Sequence, residues 1–125
     1  MSYTPGRFVW FEHLSNDIPK ARQFYEKLFG WNAETMPLSG TDPYVMIHNG
    51  EAGIGGYVQA PAGSPPQWMG YLSVTDVDST YKAALAAGAK DEGAVGPRGF
   101  WPNAYAGYVR DLDGNKLAAY CRKAE

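Results

Sequence analysis

Two helical segments with matching ends constrain this chain more than any other feature. Asn16 or Asp17 opens the first and Gly30 ends it, while Asp76 opens the second and Gly88 ends it. Short polar side chains accept hydrogen bonds from the free N–H groups of a helix start, and glycine takes the left-handed conformation that stops a helix. In the first segment Ala21, Phe24, Tyr25, Leu28 and Phe29 fall at i, i+3, i+4, i+7 and i+8, one apolar stripe that predicts a helix packed on a sheet. Val77, Tyr81, Ala84 and Leu85 share a face of the second. Asp17 and Asp76 stand 59 positions apart and the two closing glycines 58, so the chain reads as two copies of one unit.

Each helical segment is preceded by one strand pattern and followed by three. Phe8–Leu14, Trp31–Met36, Tyr44–His48 and Gly53–Val58 are aromatic or β-branched runs separated by turn residues, and so are Trp68–Val74, Ala89–Ala94, Tyr105–Arg110 and Lys116–Cys121. The order β-α-β-β-β therefore occurs twice. Module one covers about residues 7–59, a turn-rich linker about 60–66, and module two about 67–122, within one domain spanning 1–125. Gly55-Gly56 inside a strand predicts a bulge or the close approach of another backbone. A phosphate-binding loop at Gly53-Ile-Gly-Gly56 would need a following Lys-Ser/Thr and a helix start, and the sequence has neither. The last two strands flank Asp113-Gly114, a pair suited to the positive φ of a hairpin turn.

That hairpin, with Asp111-Leu-Asp-Gly-Asn-Lys116 leading into the last strand, resembles the end of vicinal oxygen chelate proteins: glyoxalase I, the bleomycin and fosfomycin resistance proteins, and the extradiol dioxygenases. The opening Phe8-Val-Trp-Phe-Glu-His-Leu-Ser-Asn-Asp17, with Ala21-Arg-Gln-Phe-Tyr-Glu-Lys-Leu-Phe-Gly-Trp31, is similar to the start of many members. The resemblance covers nearly the whole chain. It implies an α+β fold in which two βαβββ modules form a cupped, U-shaped mixed sheet with helices outside, and a homodimer. In metal-dependent members the first and last strand of each module supply ligands to a divalent ion, which calls for His, Glu, Gln or Asp. The matching positions here are Trp10, about Gly55, Met69 and Ala118. The sequence thus implies no metal ligand set and no cofactor.

Alternation along the strands puts Trp10 and Glu12, Met69 and Tyr71, and Lys116, Ala118 and Tyr120 on the face that would line the cup. They form either a small-molecule pocket or a filled core. A carboxylate such as Glu12 would need a partner there, a tyrosine hydroxyl or Lys116. Between the strands ending near Ala94 and starting at Tyr105, a loop carries Phe100 and Trp101, aromatics that could cover a cavity. The functional expectation is a metal-independent binding protein that stacks an aromatic or planar small molecule on Trp10, Trp68, Phe100, Trp101 and Tyr105. The alternative is an enzyme of the lyase, isomerase or dioxygenase kind, with or without a divalent metal, acting on a small oxygenated substrate. Without metal, Glu12 would be its general base and Tyr71 or Tyr120 would steady an oxyanion. An interaction module without ligand is the third class.

A net charge of −2 with no basic cluster gives no footprint for nucleic acid or an anionic membrane. No apolar run approaches the roughly 20 residues needed to span a bilayer. Cys121 is the single cysteine and lies in an apolar strand, and Met-Ser-Tyr-Thr-Pro-Gly-Arg at the start lacks a secretion signal. A cytoplasmic protein is the expectation.

Overall fold

The computed structural model describes residues 4–36, 44–97 and 104–122. Its elements run β1 (Phe8–Ser15), α1 (Ile18–Phe29), β2 (Asn32–Met36), β3 (Tyr44–Asn49), β4 (Ala52–Gln59), β5 (Gln67–Ser73), α2 (Val77–Ala86), β6 (Lys90–Pro97), β7 (Ala104–Arg110) and β8 (Lys116–Arg122). The chain is α+β and repeats the order β-α-β-β-β twice, as the helix spacing predicts. It divides into two compact units, Phe11–Trp68 and Met1–Trp10 with Met69–Glu125.

In the unit Phe11–Trp68 the strand order is β2-β3-β4-β1. β1 pairs with β4 in parallel, from Phe11 opposite Gly55 to Ser15 opposite Gln59, and the other neighbours are antiparallel. Both alternatives expected for the glycine pair occur. The β3/β4 register shifts between Ile47 and His48, and a β-carbon at Gly55 would collide with the main-chain carbonyl of Phe11. Asp17 caps α1 by accepting from the Lys20 N–H at 3.1 Å, with proline in the first turn, and Gly30 stops the helix at φ 69°. Leu14, Met46, Ile47 and Tyr57 are buried core.

One expectation fails in this unit. None of α1 is buried, and Phe24, Leu28 and Phe29 are each more than half exposed. Ala21 and Tyr25 of the predicted stripe are half-buried together with Arg22 and Glu26, so the covered line is shifted to one side of the stripe. Arg22 spans from Glu26 Oε2 at 2.9 Å to the Ala33 carbonyl at 3.2 Å, a bond between this side of the helix and β2.

The other unit has the order β5-β8-β7-β6 and repeats the pattern, with β5 and β8 parallel and β8, β7 and β6 antiparallel. The segment before β1 belongs here: Gly6 N–H donates to Ser73 O at 2.7 Å and Ser73 N–H to Arg7 O at 2.8 Å. Asp76 caps α2 through the Ser79 N–H at 3.2 Å. The helix closes on Ala87, and Gly88 follows at φ 106°, so that Ala89 N–H reaches back to the Ala84 carbonyl at 3.0 Å. In the terminal hairpin Gly114 has φ 90°, and Asp111 Oδ1 accepts from the N–H groups of Asp113 and Asn115 at 3.0 and 2.8 Å. Those bonds hold the Asp111 carboxyl below the usual carboxylate range. The packed side chains are Met69, Tyr71, Val77, Ala106 and Ala118.

Candidate functional site

In the unit Met1–Trp10 with Met69–Glu125, three strands build one candidate face. Register places Tyr71 opposite Ala118 across β5/β8, and Tyr108 opposite Ala118 across β8/β7. Because side chains alternate, Met69, Tyr71, Ala106, Tyr108, Ala118 and Tyr120 project to the same side. Met69 is 2% exposed and Ala118 1%. The Tyr71 and Tyr108 hydroxyls are 3.1 Å apart, and Tyr71 meets the rings of Tyr108 and Tyr120 edge-on at centroid distances of 6.1 and 6.3 Å. The result is a tyrosine cluster around the small Ala118, in which Tyr71 is packed into the core and Tyr108 and Tyr120 are half-buried. Lys116 is half-buried at the start of β8, opposite Arg110, whose guanidinium binds Glu92 at 2.9 Å. Trp10 is half-buried on β1.

Two candidate stackers are engaged elsewhere. Tyr105 lies on the opposite side of β7 from Tyr108 and donates to Asp78 of α2 at 3.4 Å. In the unit Phe11–Trp68, Trp68 donates from Nε1 to the Tyr25 hydroxyl at 3.1 Å and meets the His13 ring edge-on at 4.8 Å. Both sit on helix-side surfaces because their residue numbers differ by an odd step from the strand face above. Phe100 and Trp101 lie outside the described residues.

Glu12 belongs to the unit Phe11–Trp68. It is 2% exposed, and the Tyr44 hydroxyl donates to its Oε2 at 2.9 Å. The partner that a carboxylate needs in an apolar setting is thus a tyrosine from β3. Gly56 makes the arrangement possible, since a β-carbon there would occupy the position of the Tyr44 hydroxyl. On the other side of the same strands His13 stands opposite Tyr57, and both end in buried polar atoms without a hydrogen-bond partner, Nδ1 and the hydroxyl. Burial lowers the imidazole pKa. Burial, with Glu26 and Tyr25 adding and Arg22 opposing, pushes Tyr57 up to about 12. At neutral pH both side chains are neutral.

Sequence reasoning missed Tyr108 and Tyr44. Tyr108 was countable: a hairpin pairing Arg110 with Lys116 necessarily sets Tyr108 against Ala118. Tyr44 was not, because the irregularity at Ile47/His48 decides which β3 residues share a face with Glu12.

A divalent ion of the kind held by metal-dependent relatives does not fit the matching positions. Trp10, Met69 and Ala118 offer no hard donor, and Gly55 has no side chain and abuts the Phe11 carbonyl. Among the described residues no group of three or more His, Cys, Asp or Glu could hold a metal.

The fold and these strands define an α+β protein of paired βαβββ modules, and likeness to solved structures agrees. A 4-hydroxymandelate synthase variant from Streptomyces coelicolor superposes with a TM-score of 0.66 at 19% identity, covering 98% of this chain and 40% of that one. The Mn(II)-bound glyoxalase from Novosphingobium aromaticivorans gives 0.62 at 14%, covering 93% and 38%. The profile of the Glyoxalase/Bleomycin resistance protein/Dioxygenase superfamily matches residues 7–119, and the chain belongs to that family. A Mycobacterium tuberculosis protein named as a candidate glyoxylase, CFP32, is 33% identical over 66% of this chain and 32% of its own length. The anthracycline biosynthesis protein DauV of Streptomyces sp. strain C5 is 34% identical over 76% of this chain and 36% of its own. The chain spans about a third of the length of the curated relatives it matches. Among the described residues no helix is long and apolar enough to cross a membrane.

Proposed function

We propose that this protein binds an aromatic or planar small molecule without a metal, on the strand face of Met69, Tyr71, Ala118 and Tyr120 together with Trp10, Phe100 and Trp101. What supports the proposal is the half-buried Tyr108 and Tyr120 beside Ala118, the residue that the family resemblance matches to a metal-binding carboxylate. A relative in anthracycline biosynthesis supports it, since anthracyclines are planar fused-ring molecules. Lys116 would offer a charge to an acidic substituent at the edge. The proposal extends to a cytoplasmic homodimer, which sedimentation tests: a monomer at micromolar concentration would remove that part.

The test is a thermal-shift titration with an anthracycline, in the wild type and in Tyr120→Ala. The wild type is expected to gain several degrees at saturation and the variant to lose most of that gain. No shift in the wild type would contradict the proposal.

The buried Glu12–Tyr44 pair favours a second reading, an enzyme acting on a small oxygenated substrate with Glu12 as general base. A relative named for glyoxylase activity points the same way. In this reading the Tyr44 hydroxyl orients the carboxyl and Glu12 takes a proton from carbon or a hydroxyl of the substrate. Turnover retained by Glu12→Gln on an identified substrate would exclude the assignment.

A further inference from the structure

Between α2 and the strands β5, β7 and β8 lies a cavity of about 180 Å³, bounded by Leu72, Thr80, Ala84, Gly107, Leu117 and Ala119. Its origin is local. Gly107 and Ala119 are direct partners across β7/β8, and the helix brings Ala84 to the same cavity. Three of the smallest side chains meet where a packed helix–sheet layer ordinarily interdigitates large ones. Tyr81, also at this wall, has its hydroxyl bonded to Asp91, so it contributes ring surface to the cavity. The Thr80 hydroxyl is the remaining polar side-chain group of the lining.

We propose that this cavity is a second binding site, taking an uncharged single-ring aromatic molecule of benzene or toluene size. The volume and lining select that class. An aliphatic cavity of about 150 Å³ accepts benzene or xenon, whereas pockets for drug-sized ligands begin near 300 Å³; this one is a half-open cleft whose Leu72, Thr80, Ala84, Leu117 and Ala119 are half-buried. A fused multi-ring molecule does not fit, and a charged one would meet no countercharge among the lining residues. The site is separate from the strand face of Tyr71 and Tyr120 and does not depend on the function proposed for that face.

Benzene is the probe. Methyl resonances of Leu72, Val109 and Leu117 are expected to shift on titration, and the melting temperature to rise by about 5 °C at ten times the dissociation constant. Ala84→Leu, which fills the cavity, is expected to abolish both effects. If that variant does not fold, Ala119→Val provides the same comparison. Unmoved methyl resonances in the wild type near aqueous saturation, perturbation centred on the Tyr71 and Tyr120 rings, or an unchanged response in a folded filled variant would each overturn the proposal.

Discussion

Glu12, Tyr44 and Gly56 form a set in which each residue requires the others. Glu12 is buried, a phenol from β3 donates to it, and that phenol has room only because residue 56 lacks a β-carbon. Tyr44→Phe removes the donor and leaves a buried carboxyl short of a bond, which is expected to lower unfolding free energy by about 1–3 kcal/mol in urea melts. A loss within about 0.3 kcal/mol would mean the bond contributes little. His13 gives a prediction of the opposite kind, about protons. Its folded pKa lies below its unfolded value, so the unfolded chain binds the proton first as pH falls. Its contribution is complete above about pH 6.5 and is lost progressively below that, and the fall in urea midpoint from pH 7.5 to 5.5 should be smaller in His13→Phe. Equal falls in the two proteins would contradict this account. Residue identity alone showed that Glu12 needs a partner and that His13 points to the other face. Which tyrosine serves, and that His13 ends beside Tyr57 with its Nδ1 unpartnered, depended on strand register.

At the scale of elements, the caps and turns were legible and the depth of burial was not. Asp17, Gly30, Asp76 and the Asp111–Asn115 turn act through bonds to residues a few positions away, so a local pattern contains them. The stripe on α1 correctly marks a helix, yet only Ala21 and Tyr25 of its members are covered, on the side where Arg22 bonds the Ala33 carbonyl. Leu28 therefore stays more than half exposed while Ile47 in β3 is buried. Leu28→Ala should change stability by less than about 1 kcal/mol and Ile47→Ala should cost about 2–5 kcal/mol. Similar losses for both would show that α1 packs more deeply than the structure has it. Strand alternation worked the same way: it sorted Tyr71, Ala118 and Tyr120 together, and it equally implied that Trp68 and Tyr105 face the other side, where Tyr25 and Asp78 hold them.

For the whole molecule, the repeat of cap and stop residues sufficed to give two βαβββ modules, and the terminal hairpin with the opening segment sufficed for the family now shown by the match over residues 7–119. Chemistry is less portable than topology. Likeness at 14–19% identity to a Mn(II)-bound glyoxalase and a 4-hydroxymandelate synthase establishes a shared backbone, while the side chains at the matching strand positions set what the site can do. At the positions that the family resemblance matches, Trp10, Met69 and Ala118 carry indole, thioether and methyl groups and Gly55 carries no side chain. The most direct measurement is a calorimetric titration of the protein with an anthracycline, run with and without excess EDTA. The account predicts saturable binding with the same dissociation constant in both. Absence of binding, or binding abolished by the chelator and restored by a divalent ion, would contradict it.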